Sequence, residues 1–371
     1  MLDYFRTARK AVQKAIQENL AEQGHLHSQV SADFGADSAR RLDEFSSRGK
    51  MIRGCLVRLG YELGGGRTVP PGAEQAVARA GAAMELFQSG LLVHDDIMDR
   101  DRTRRGAPTL HVGYEADLAR GLYGDPAHNG SSLGICAGDL AYFSAFSILS
   151  GLEVPGDVAR QVCLTAAREL ALVGVAQMQD VANGAVRRGS TNPFRDAPAS
   201  PDEETILLLY RYKTGRYTFS LPLSIGATLA ESTPEVIASL EEAGEALGIL
   251  FQLKDDELGL FADEDELGKP VGADIREDKK TLFRQRLFAR ADSELTGRLQ
   301  EAFGNPSAGP AEVTLVREAI ERLDVRSEIA AMMRSYAVKA RGAVETLSAS
   351  APAPAKTAFM ELVEYSLGRT S

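Results

Sequence analysis

Two apolar segments of this chain end in the same way, and that ending restricts how the chain can fold. Leu91, Leu92 and Val93 run into Asp95, Asp96 and Asp99, and Ala246–Leu253 runs into Asp255 and Asp256. Like charges this close repel, and carboxylates avoid apolar surroundings unless something compensates them. Positions four apart share one face of a helix, so Asp95 and Asp99 point the same way with Asp96 beside them. The fold must therefore bury two helical stems while presenting acidic tips to something positive.

A divalent metal is the expected compensator, with an anion behind it that Arg104 and Arg105 also hold. Mg²⁺ takes one or two carboxylates, keeps waters and completes its shell with substrate phosphates. If the two helices face each other, their carboxylates frame one cleft. Several ions bridging a diphosphate there would stabilise charge on a leaving group.

The rest of the chain reads as helix. Apolar residues three and four apart recur over 76–92, 140–149, 158–173, 234–258, 282–303 and 311–323, while strand patterns are scarce and Trp is absent. Breaks are expected at 64–71, 124–130, 151–156 and 305–310. The stretch 187–204 reads as a mobile surface insertion, and 348–356 as a loop before the last helix. No break is long enough to separate domains. The expectation is an all-α fold, one large helical domain over 1–371 around a central active-site cavity.

Composition removes other classes. The net charge of −10 excludes a general nucleic-acid binder, so local cationic clusters carry information. The three cysteines are far apart with no CxxC pair, which reads as three small buried hydrophobes in a reducing compartment. The amphipathic N-terminus lacks a signal-peptide core, and no unbroken apolar run reaches membrane-spanning length. A cytoplasmic protein without stable membrane insertion is expected.

Three further clusters set polar groups inside otherwise apolar helices. Lys50 and Arg53 are three apart and are expected on one helical side. Lys213 adjoins Thr214 and lies one turn before Tyr217. Gln177 and Asp180 are also three apart. Taken singly, each reads equally well as surface charge or capping. Together they suit a shared ligand, because buried polar groups need partners. Lys269, Lys279 and Lys280 follow the second acidic pair and are placed to close over the same anion. Residues 263–266 read as a solvated charge run, and His94 as packing or hydrogen-bonding structure.

These residues resemble the trans-isoprenyl diphosphate synthases, or polyprenyl synthetases. Asp95, Asp96 and Asp99, followed by Arg104, Arg105 and Gly106, look like that family's DDxxD and RRG. Lys50 and Arg53 look like its GKxxR, with Gly54 where a proline is usual and Met51 where Arg is common. Gln88 stands where the family has His or Gln. Gln177 with Asp180, Lys213 with Thr214, and Phe251, Gln252, Asp255 and Asp256 resemble its QxxD, KT and FQxxDD. Lys269, Asp274 and Lys279 resemble its GKxxGxD and the lysine after it.

The resemblance implies the isoprenoid synthase fold and a head-to-tail condensation of isopentenyl diphosphate with an allylic diphosphate (dimethylallyl, geranyl or farnesyl). Asp95, Asp99 and Asp255 would hold Mg²⁺, three ions per site, with Asp96, Asp256 and Asp180 as further candidates. Arg104, Lys213 and Lys269 would grip the allylic diphosphate, and Lys50, Arg53, Gln88 and Arg105 the isopentenyl one. Gln177, Asp180 and Lys279 would also contribute to substrate binding. Gln252 and the Lys213–Thr214 backbone would steady an allylic cation with oxygen dipoles. A homodimer is implied as well. Gly259 replaces the last aspartate of the second motif, and Glu257 points away from Asp255 on a helix, leaving Asp255 to hold its metal alone or with Asp256 through water.

In this family, large aromatics four or five residues before the first motif give short products. Those positions are Leu91 and Gly90 here, and Gly90 is expected to leave a hole that a phenylalanine would plug. Phe87 lies about 12 Å before Asp95 at ~1.5 Å per residue, with Met84 a turn below. A C20 product, geranylgeranyl diphosphate, is expected; C15 and C25 or longer remain alternatives. A class I terpene cyclase would leave Lys50, Arg53, Gln88 and Arg105 without a task. An inactive regulatory subunit would not keep the intact first motif.

Overall fold

The computed structural model describes residues 3–121, 123–186, 189–194, 200–262, 272–347 and 351–369. Lys269 and the charge run at 263–266 lie outside the described residues, as do 187–188 and 195–199 of the insertion. The described chain is all-α apart from one two-stranded ribbon. It divides into two compact units.

The first unit comprises Met1–Ala167, Pro222–Ala238 and Leu347–Ala358. It contains α1 (Asp3–His27), α2 (Ala32–Ser47), α3 (Ile52–Gly65), α4 (Glu74–Met98), α5 (Leu110–Arg120) and α6 (Pro126–Ser150). Between α4 and α5 lies the ribbon of β1 (Thr103–Arg104) and β2 (Ala107–Pro108). Its turn residues, Arg105 and Gly106, both have positive φ (52° and 73°), as a tight two-residue hairpin requires. The core is α4 packed on α6 and α3, with Leu56, Leu59, Ala80, Leu86, Phe87, Ala141 and Ala145 buried.

Helices α4 and α6 cross so closely that a Cβ on Gly90 would lie 2.7 Å from the Tyr142 ring and 2.9 Å from the Gly138 carbonyl. This corrects the expectation of a hole at Gly90, because α6 fills the space. Among the described residues only α6 is long and apolar enough to cross a membrane, with a mean hydropathy of 1.4 over 18 residues, and 44% of that window is buried in the protein.

The second unit comprises Arg168–Leu221, Ser239–Thr346 and Phe359–Ser371. α7 (Gly156–Gly184), α9 (Leu221–Leu229), α10 (Pro234–Phe261) and α16 (Ala353–Gly368) begin in the first unit or end there. Wholly inside the second are α8 (Glu203–Leu209), a π-helix (Tyr210–Ser220), α11 (Ala273–Arg276), α12 (Leu282–Arg290), α13 (Ser293–Ala302), α14 (Pro310–Arg322) and α15 (Val325–Glu345). The π-helix lies against α10 where two glycines meet, and a Cβ on Gly248 would be 2.1 Å from the Gly215 Cα.

Several local expectations need correcting. The segment 282–303 is two helices, because Asp292 accepts from the Leu295 N–H at 2.8 Å and caps a new start. Gly130 lies inside α6, whose N-terminus is set by Asp125 and Pro126. Glu203 and Glu204, the end of the expected insertion, already belong to α8, and Ala353–Lys356 to α16. Cys55 is buried, but Cys136 is exposed and Cys163 half-buried; all three are free.

Candidate active site

In the first unit, α4 carries its acidic tip at its C-terminal end. The Asp99 N–H donates to the Asp95 carbonyl at 2.8 Å, so helical spacing persists through Asp99. Asp95 is half-buried and Asp99 exposed. Asp96 is 0% exposed and ion-paired to the Arg104 guanidinium on β1. Its Oδ2 is buried without a hydrogen-bond partner. Burial pushes the Asp96 pKa up to about 6, against the lowering pull of Arg104. Arg104 also reaches Asp101 at 3.5 Å.

The hairpin turn sends Arg105 back towards α3. Its Nη1 lies 2.9 Å from where a Gly49 Cβ would be, next to Lys50. Desolvation lowers the Arg105 pKa; Glu85 opposes this, and Arg104 and Arg53 reinforce it. Lys50 is exposed and precedes α3, while Met51 is buried with φ 54°. Lys50 and Arg53 therefore do not share a helical side, because the left-handed Met51 turns the chain between them. Gln88 is half-buried on α4.

His94 has the structural role expected of it. Its Nε2 is 3.1 Å from the Ile135 carbonyl, and its ring packs edge-on against Tyr142. Below it, Met84 and Phe87 are buried, and Phe87 meets Phe146 edge-to-face with centroids 4.9 Å apart. Leu91 is half-buried.

In the second unit a continuous polar chain runs from the π-helix to α10. Thr214 Oγ1 donates to Gln252 Oε1 at 2.9 Å, and Gln252 Nε2 donates to Asp256 Oδ1 at 2.9 Å. The Tyr210 hydroxyl donates to the other Asp256 oxygen and accepts from the Leu282 N–H at 3.0 Å. Asp256 is 0% exposed, and burial pushes its pKa up to about 6 despite the Lys279 charge 3.6 Å away. Desolvation works to lower the Lys279 pKa, but Asp274, Asp256, Asp255 and Asp180 outweigh it and raise it. Lys280 is buried and bonded to Asp278. Lys213 is ion-paired with Asp180 on α7, and Gln177 is half-buried one turn earlier.

Around the second acidic pair, three features were not legible from motif spacing. Asp255 accepts from the Arg369 Nη2 at 2.9 Å; that guanidinium also bonds the Phe251 carbonyl at 3.1 Å and stacks on the Phe251 ring. Arg369 lies 114 residues from Asp255 in sequence, and no local pattern joins them. The Asp274 Oδ2 sits 2.6 Å from where a Gly259 Cβ would be, so a carboxylate stands beside the position where the motif's last aspartate is missing. Tyr210, an apolar-looking aromatic, anchors Asp256. Glu257 does point elsewhere, to Lys254 and Arg326 at 2.8 Å each.

Comparison with known proteins gives the class. The polyprenyl synthetase family profile matches residues 40–322. A geranylgeranyl diphosphate synthase of Sulfolobus acidocaldarius is 31% identical over 93% of this chain and 94% of its own. A short chain isoprenyl diphosphate synthase of Methanocaldococcus jannaschii is 34% identical over 76% of this chain and 74% of its own. Among solved structures, geranylgeranyl pyrophosphate synthase from Corynebacterium glutamicum, complexed with isoprenyl diphosphate and magnesium, superposes with a TM-score of 0.81. It is 27% identical and covers 96% of this chain and 98% of its own. The fold and motifs thus define a prenyltransferase. The chain belongs to the polyprenyl synthetase family.

Proposed function

We propose that this prenyltransferase joins isopentenyl diphosphate head-to-tail to an allylic diphosphate and releases geranylgeranyl diphosphate. The observation that carries this reading is the pair of cations Arg53 and Arg105 in the first unit, with Lys50 beside Gly49 at the entry to α3, additional to the Arg104–Asp96 pair. A terpene cyclase, with one diphosphate to hold, has no use for it. Lys50, Arg53, Gln88 and Arg105 take the isopentenyl diphosphate, and Arg104, Lys213 and Lys269 the allylic one.

The donors fit a hard divalent cation. Asp95, Asp99 and Asp255 offer carboxylate oxygens, the donors Mg²⁺ takes, and the rest of its shell would come from water and phosphate oxygens. Bound metal, three ions in this proposal, supplies positive charge to the departing diphosphate. The protein's own residues do the rest. Asp96 and Asp256 anchor Arg104 and the Gln252–Tyr210 network instead of ligating directly. Asp180 holds Lys213, and Gln177 and Lys279 support the same diphosphate. The Gln252 side chain and the Thr214 backbone turn oxygen dipoles towards an allylic cation, and apolar walls keep water from it.

Chain length is set on α4 by Phe87, braced by Phe146, with Met84 and Leu91 lining the same route. A C25 product is the alternative. The homodimer gains support from α7, where Leu172, Val175, Met178 and Val181 form an exposed apolar stripe, Met178 at 73%. Three free cysteines suit a cytoplasmic setting.

The test is incubation of the purified protein with isopentenyl diphosphate, farnesyl diphosphate and Mg²⁺, with chromatographic sizing of dephosphorylated product. Geranylgeraniol is expected, and no condensation would reject the reading. Phe87→Ala should lengthen the product by at least one prenyl unit. Gly90→Phe should lower Tm by several degrees rather than shorten the product, because overpacking costs about 1–3 kcal/mol and the Tyr142 ring already fills that space.

A further inference from the structure

We propose that Glu85, outside every motif above, is a positioning residue for Arg53 and Arg105 and thereby sets affinity for isopentenyl diphosphate; this rests on the function just proposed. Helix α3 begins at Ile52, and its N-cap, Met51, makes no side-chain capping bond. The first N–H groups of a helix have no partner within it. Here the Gly54 N–H donates to Glu85 Oε1 at 2.8 Å, and the Arg53 backbone N–H bonds the same carboxylate. A side chain on α4 thus caps α3.

The unusual glycine makes this possible. A proline at position 54, as the family commonly has, carries no N–H to give. Gly54 also lets the two helices touch, since a Cβ there would lie 3.0 Å from the Gly81 carbonyl and 2.8 Å from Val12. That close crossing brings the α4 carboxylate within reach of the α3 backbone.

Charge gives the contact its further consequence. Glu85 is 6% exposed; burial raises its pKa, while the charges of Arg53 and Arg105 and the α3 N–H groups pull it down. The Arg53 charge helps lower the Arg105 pKa, as like charges close together do. A carboxylate pinned at the start of α3 by those N–H groups, and attracting both arginine charges, steadies them before any anion arrives, so less ordering is left for binding. Glu85 touches no substrate in this account; it acts through the arginines.

Two variants separate charge from capping. Glu85→Gln keeps an acceptor for the Gly54 N–H and removes the charge. It should raise KM and the calorimetric Kd for isopentenyl diphosphate by about tenfold, roughly one lost charge contact, with the allylic KM within about twofold. Glu85→Asp keeps the charge and shortens the reach. It should lower Tm while holding isopentenyl diphosphate within about twofold of wild type. An unchanged Kd in Glu85→Gln overturns the proposal, as does equal weakening in both variants or equal weakening of both substrates. If Glu85→Gln does not fold, Glu85→Asp decides by its Kd ratio. Wild-type protein that binds no isopentenyl diphosphate would reject the proposed function instead.

Discussion

The two Asp-Asp pairs look interchangeable in sequence, and the structure gives their second members different surroundings. Asp96 is fully buried against one cation, Arg104, and keeps one oxygen without a partner. Asp256 is equally buried but is held by Tyr210, Gln252 and Lys279, which together engage both oxygens. The first members differ as well. Asp255 bonds Arg369, while Asp95 and Asp99 share the tip of α4. The first cluster is thus rich in carboxylates near its outer end, and the second has one exposed carboxylate over a braced interior. In each pair the second aspartate is the buried one and bonds side chains from other elements, Arg104 for Asp96 and Tyr210 for Asp256.

This comparison can be broken by measurement. The largest effect is expected at the outer carboxylates. Asp95→Asn should lower kcat by about 10³-fold and Asp255→Asn by about 10²-fold, the range for losing one group that stabilises developing charge. Equal losses would erase the asymmetry between the clusters. The next effect concerns the buried members. Both pKa values lie near 6, above the unfolded carboxylate value, so the folded state binds more protons. Metal-free protein should therefore lose stability as pH rises from about 4 to about 6. Asp256→Asn should flatten that loss, seen as a Tm difference from wild type that grows across this window. A constant difference would show that Asp256 is not buried as an acid. The smallest effect is expected at Arg369. Arg369→Met frees Asp255, and the Mg²⁺ concentration for half-maximal rate should fall by about threefold, roughly the worth of a partly exposed ion pair. A rise would make Arg369 a helper of the metal site instead.

Much of this was legible in the chain itself. Helical period and breaker residues located α4, α6, α7 and α10, because each buries an apolar face at 3.6-residue spacing. The segment 282–303 misled because periodicity continues across a two-residue joint that only the Asp292 cap reveals. Motif spacing selected Asp95, Asp96, Asp99, Lys213, Gln252, Asp255 and Asp256. It could not separate anchors from outer carboxylates, since that depends on Tyr210 and Arg104 arriving from other elements. Gly90 read as a vacancy because the sequence of α4 says nothing of Tyr142 on α6. Glu85 and Arg369 escaped because their partners are reached by helix crossing and by a remote chain end.

The π-helix at Tyr210–Ser220 has a consequence for how this chain tolerates change in length. A widened coil holds more residues per turn than an α-helix, so it can be undone by losing a single residue. Such a deletion before Lys213 would let the segment relax to ordinary pitch and swing the lysine by about 100° around the axis. Thr214 would leave Gln252 in the same movement. A one-codon deletion here should therefore silence the enzyme while leaving its helical content nearly intact.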